Sequence, residues 1–78
     1  MSNDSILKDF GYHLKNIRLK KNITQEQLAF LCDLDRTYVS GIERGKRNIS
    51  LMNIYKIASA LNIHPSELLI FEISTSGE

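Results

Sequence analysis

Residues 23–47 read ITQEQLAFLCDLDRTYVSGIERGKR. Thr24 followed by Gln27 fits a capping box, in which a hydroxyl and an amide side chain satisfy free N–H groups at a helix start. A short helix is therefore expected from Thr24, with Leu28, Ala29, Leu31 and Cys32 on its inward side. The run Cys32-Asp33-Leu34-Asp35 breaks it. Asp33 tolerates left-handed backbone better than most non-glycine residues. Asp35 is a good N-cap for a second short helix over about residues 36–44. Val39 and Ile42 share its inward face, and Gly45 is suited to stop it. Ala29 is small enough for the two helices to cross closely, and Leu34 puts an apolar side chain in the turn between them.

Two short helices joined by a tight turn are the pattern of a helix-turn-helix. Once its inward side is anchored, the second helix exposes Arg36, Thr37, Ser40 and Arg44. The N-terminal end of such a helix fits the major groove of DNA, where base edges carry distinct donor and acceptor patterns.

The flanks extend the helical pattern. Leu7, Phe10, Leu14 and Ile17 recur at spacings of three and four, predicting a first helix over about residues 5–21. Lys20 and Lys21 complement the negative end of that helix, a structural role that competes with a DNA role. Ser50 is placed to cap a fourth helix with Leu51, Ile54, Ala58 and Leu61 inward, and Asn62 to end it. Pro65, after His64, opens a fifth helix over about residues 65–71. Residues 69–73 carry the one hint of strand alternation, and read equally well as the end of the fifth helix against a partner. The expectation is an all-α fold, one domain over residues 1–78 with frayed ends at about 1–4 and 74–78.

A chain of 78 residues buries a modest core, so dimerisation is a common supplement. Leu68, Leu69, Ile70, Phe71 and Ile73 are more apolar side chains than one short helix buries in a small monomer, and are the expected dimer interface. No apolar run is long enough to span a bilayer, and the N-terminus lacks the pattern of an export signal. Cys32 is the sole cysteine, so a reducing cytoplasm is expected. Net charge is only +1, but it is unevenly spread. Lys15, Arg18, Lys20 and Lys21 form one basic group and Arg44, Lys46 and Arg47 another, while Glu67, Glu72 and Glu78 make the last third acidic. One face can thus meet phosphate, although such runs also occur as solvated faces. His13, His64 and an inward Cys32 form no metal set, and no nucleophile–base pair or glycine-rich phosphate loop is present. Neither an enzyme nor a cofactor is expected.

Residues 23–47 resemble the helix-turn-helix of the phage lambda repressor and Cro family, also called the Xre family. The matching pieces are Thr24-Gln25, Leu28-Ala29, Val39-Ser40-Gly41-Ile42-Glu43 and Gly45-Lys46, with Ile17-Arg18 before. Leu51, Ile54, Ala58, Leu61 and Pro65-Ser66-Glu67-Leu68-Leu69 match after it. Within the family, residues 34–44 look most like the controller proteins of restriction–modification systems. The resemblance implies a compact five-helix, lambda-repressor-like domain. It further implies a homodimer on a near-palindromic operator in double-stranded DNA, controlling its own promoter and that of the endonuclease, with RNA polymerase a further candidate partner. The alternative is another Xre-type regulator of a phage, mobile element or toxin–antitoxin system, including an antitoxin-like module acting through its acidic end.

Individual roles follow. Arg36 is placed to read guanine with a two-pronged donor pair, or to pair with Asp33 or Asp35. Thr37 and Ser40 are candidate base contacts, with phosphate or plain helix surface as alternatives. Tyr38 would touch the DNA backbone or cover the core. Gln25 resembles the family's phosphate-contacting glutamine, at a helix start that favours phosphate in any case. Arg44, Lys46, Arg47 and Asn48 follow the reading helix and would grip the backbone or enter the minor groove. Glu43 is expected to be structural and to pair with Arg18, as family members often show. Gly41 leaves one reading position without a side chain, shifting the load to Arg36 and Thr37.

Overall fold

Five helices follow one another in the computed structural model, which describes residues 3–73. They are α1 (Asn3–Lys20), α2 (Gln25–Cys32), α3 (Arg36–Glu43), α4 (Leu51–Leu61) and α5 (Pro65–Leu69). No strand occurs among the described residues. Residues 1–2 and 74–78, expected to fray, lie outside them. Asn3 and Asp4, also expected to fray, are helical, and Asp4 suits the positive end of α1.

Local chemistry sets the helix ends. Thr24 Oγ accepts from the Gln27 N–H at 3.0 Å, and Gln27 Oε1 accepts from the Thr24 N–H at 2.8 Å, completing the capping box. Asp35 accepts from the Thr37 N–H at 3.0 Å and Ser50 from the Asn53 N–H at 3.1 Å. Asn22, Asp33 and Asn62 leave α1, α2 and α4 with φ of 59°, 57° and 59°, the left-handed exit that Asn and Asp tolerate. Arg44 caps α3, and Gly45 turns the chain away at φ 75°. His64 Nδ1 accepts from the Ser66 N–H at 3.0 Å and caps α5, with Pro65 in its first turn.

The core gathers Phe10 and Leu14 of α1, Leu28, Ala29 and Cys32 of α2, Val39 and Ile42 of α3, Ile54, Ile57, Ala58 and Leu61 of α4, and Leu68 of α5. α3 lies against α1 and α2, while α4 bridges α2 and α5. At Gly11 the α1 and α3 backbones approach so closely that a Cβ there would stand 2.7 Å from the Glu43 carbonyl oxygen. No helix among the described residues is long and apolar enough to cross a membrane.

Four expectations are corrected. Leu31, assigned inward, is 55% exposed, because Leu28, Ala29 and Cys32 take the buried side of α2 and leave Leu31 beyond its edge. Leu51 is 68% exposed, since it stands in the first turn of α4 at the margin of the stripe made by Ile54, Ile57, Ala58 and Leu61. α5 ends at Leu69, short of the expected residue 71. Ile70 turns into extended backbone, and Phe71 docks edge-on against Phe10, with ring centroids 5.9 Å apart. Leu68, placed in the dimer interface, is fully buried in its own chain's core.

Candidate nucleic-acid interface

Three residues anchor α3: Val39, Ile42 and Glu43. At about 100° of rotation per residue, Thr37 and Arg44 stand opposite that seam. Arg36 and Ser40 lie to one side of them, Gly41 and Tyr38 to the other. Arg36, Thr37 and Arg44 are exposed, whereas Ser40 and Tyr38 are half-buried.

Glu43 is the pin that sets the angle of this helix. Its carboxylate accepts from Arg18 Nε at 2.6 Å and from Arg18 Nη2 at 2.9 Å, a two-pronged charge-assisted pair. The remaining Arg18 nitrogen, Nη1, donates to the Ile23 carbonyl at 2.8 Å. Gln25 Nε2 donates to Glu43 Oε1 at 3.0 Å. One buried cluster thereby ties the end of α1, the following loop, the start of α2 and the end of α3. The expected Arg18–Glu43 pair is present.

Arg36 and Gln25 line one depression of about 330 Å³, together with Arg18, Thr24 and Glu26. The first residue of α3 and the first residue of α2 therefore share a surface. Among the described residues Arg36 forms no ion pair, with Asp33 and Asp35 included. The Asp35 carboxylate is taken by its cap.

Tyr38 is held on two sides. Its hydroxyl accepts from Asn53 Nδ2 at 2.9 Å, and the Arg47 guanidinium carbon lies 5.3 Å from its ring centroid. Arg47 also corrects the reading of Gly41. A Cβ at Gly41 would stand 2.7 Å from Arg47 Cγ, so the position that lacks a side chain is covered by the stem of Arg47. The Lys46 N–H donates to the Gly41 carbonyl at 2.8 Å and fixes the loop beside the helix. Arg44, Lys46, Arg47 and Asn48 are all exposed along this edge.

The expected dimer residues divide. Leu69, Ile70 and Ile73 are exposed, Phe71 is half-buried on α1, and Leu68 is withdrawn into the core. Phe30, Leu31, Met52 and Tyr55 form further exposed apolar surface that periodicity did not flag. Asn53, which holds Tyr38, was also missed; its signal is a polar residue one turn into α4.

Comparison with known proteins matches this arrangement. The helix-turn-helix family profile matches residues 14–68. Control protein C.BamHI of Bacillus amyloliquefaciens is 59% identical over 63 residues, covering 80% of this chain and 78% of the relative. The crystal structure of the restriction–modification controller protein C.AhdI from Aeromonas hydrophila superposes with a TM-score of 0.80 at 56% identity, covering 81% of this chain and 96% of that one. The controller protein C.Esp1396I, solved as a tetramer with its natural 35 base-pair operator, gives a TM-score of 0.75 at 39% identity, covering 82% of this chain and 84% of that one. The chain belongs to the helix-turn-helix family and, within it, to the controller proteins of restriction–modification systems.

Proposed function

We propose that this protein is a sequence-specific transcriptional regulator that binds a near-palindromic operator as a homodimer. On this reading it controls its own promoter and that of a restriction endonuclease. The observation that carries the proposal is α3: an eight-residue helix pinned by a buried ion pair, with Thr37 and Arg44 exposed opposite its anchors and Arg36 exposed at its start. Arg36, Thr37 and Ser40 are its base-reading residues. Gln25, Tyr38, Arg44, Lys46, Arg47 and Asn48 hold the sugar–phosphate backbone.

At the start of α2, the Gln25 side chain is steadied by Glu43 beside amide groups that lie outside the helix's own ladder, a setting that favours phosphate. Leu69, Ile70 and Ile73, with the outer edge of Phe71, supply the dimer contact. The protein acts by binding rather than catalysis, in the cytoplasm, with RNA polymerase as a further partner at the promoter.

Selection of bound duplexes from a random pool tests this. The expected product is one symmetric motif whose half-sites lie about one helical turn apart. Failure to enrich any sequence over the starting pool would rule the function out.

A further inference from the structure

α5 stops short of where its sequence would carry it. It closes at Leu69, and Ile70 leaves it at φ −97° and ψ 94°. The last carbonyls of a helix have no N–H from their own ladder. Continued to residue 71, α5 would bring the Phe71 N–H to the Glu67 carbonyl. A side chain of α1 serves that carbonyl instead: His13 Nε2 donates to it at 2.7 Å. A basic side chain on the final carbonyls is a common way to close a helix, and here it comes from another element. The same imidazole lies against the Phe71 ring, with centroids 5.4 Å apart and planes tilted by 31°, while Phe10 meets that ring edge-on. Asp9, Tyr12, His13 and Asn16 of α1 share a depression of about 310 Å³ with Phe71 and Glu72. Residues 70–73 therefore run beside α1.

We infer that His13 is a positioning residue for self-association: it latches residues 70–73 along α1 as an extended strap, and the strap presents Ile70 and Ile73 to a second copy of the chain. This rests on the dimer reading above, and deepens it. Extended backbone advances about 3.3 Å per residue against about 1.5 Å in a helix. The strap thus carries Phe71 about twice as far beyond Leu69 as a longer α5 would, and brings it to Phe10 and His13. Leu69, Ile70 and Ile73 stay exposed once Phe71 is docked. A strap already ordered in the monomer loses less freedom when two copies meet. Packing of the rings holds Phe71, but the bond to Glu67 sets where the helix ends. One imidazole does both.

The test measures dimer dissociation constants by sedimentation for wild type, His13→Ala, His13→Phe and His13→Gln. The backbone of residues 70 and 71 is followed through α-carbon chemical shifts. His13→Ala should weaken the dimer by at least about fivefold, because each of the two protomers loses a hydrogen bond worth a factor of at least about two. The shifts should move from extended towards helical values. His13→Phe keeps a ring beside Phe71 without the donor, and should weaken the dimer too. His13→Gln restores a donor at similar reach, and should recover most of the affinity and the extended shifts. Melting of the diluted, monomeric protein should stay within about 8 °C of wild type in all three, the value of one peripheral bond.

An undiminished dimer in His13→Ala or His13→Phe would overturn the latch, as would extended shifts at residues 70 and 71 in either variant. Glutamine no better than alanine would overturn the hydrogen bond as its cause. Wild type that stays monomeric at every concentration would remove the dimer reading itself, and the inference with it.

Discussion

Replacing Glu43 by alanine should strongly destabilise this protein, although Glu43 belongs to no apolar cluster. The Arg18 and Glu43 side chains are 7% and 2% exposed, so the pair is desolvated on both sides. Removing the carboxylate strands the Arg18 guanidinium with only the Ile23 carbonyl, and deprives Gln25 of its acceptor. Breaking one side of a buried, hydrogen-bonded pair costs about 3–5 kcal/mol. A chain of 78 residues has about 4–12 kcal/mol to lose, so the change removes a large share of its stability. At about 4–8 °C per kcal/mol, the melting temperature should fall by more than about 12 °C. Urea titration followed by far-ultraviolet circular dichroism measures the loss directly. Glu43→Gln, which keeps the shape and one acceptor, should lie between alanine and wild type. Arg18→Met with Glu43→Leu removes both charges and should recover much of the loss. If Glu43→Ala stayed within about 0.5 kcal/mol of wild type, the range of an ordinary surface change, the ion pair would not be what holds α3 against α1.

Three further outcomes are expected. Arg36→Ala should keep its fold and lose about 1–3 kcal/mol of preference for guanine in each half-site; binding of operators with that guanine replaced, measured by anisotropy, decides it, and a wild-type margin would place the reader elsewhere. Ile70→Glu puts a charge on a side chain that is 70% exposed, so the folded monomer should tolerate it while sedimentation at micromolar concentration shifts from dimer to monomer; an unchanged dimer would move the interface to Phe30, Leu31, Met52 and Tyr55. Burial pushes the Cys32 thiol above its ordinary value, so its thiolate is scarcer at any given pH in the folded protein than in the unfolded chain. Iodoacetamide should therefore react slowly in buffer, increasingly as pH rises past the usual thiol range, and quickly in urea; equal rates in buffer and urea at neutral pH would contradict the burial.

The parts of the fold that were legible are those decided within a few residues. Thr24 with Gln27, Asp35 with the Thr37 amide, and Ser50 with the Asn53 amide are closures within one turn, and residue type alone announces them. Leu31 and Leu51 were misplaced because an apolar residue in a helix declares its face only relative to what packs there, and neither has a neighbour to cover it. Leu68 shows the converse, an apolar residue in a surplus that the chain itself absorbs. Arg18 and Glu43 carry charges that periodicity assigns to the surface, and family likeness rather than patterning paired them. Arg47 at Gly41 and Asn53 at Tyr38 join residues from different elements, so no local rule anticipates them.

In α3 the duties of folding and of reading are divided between different positions. Val39, Ile42 and Glu43 are buried against the protein, whereas Arg36, Thr37 and Arg44 are exposed. Substitutions in the second set leave the stability of the domain almost untouched, so a lineage can change its operator one base at a time without passing through an unfolded intermediate. Tyr38, Gly41 and Arg47 are different, because each is packed against another of the three. Those positions must change together or not at all. Divergence among such regulators should therefore be gradual at one side of the reading helix and abrupt at the other, where a new partner for residue 41 has to arrive with a new residue in the loop.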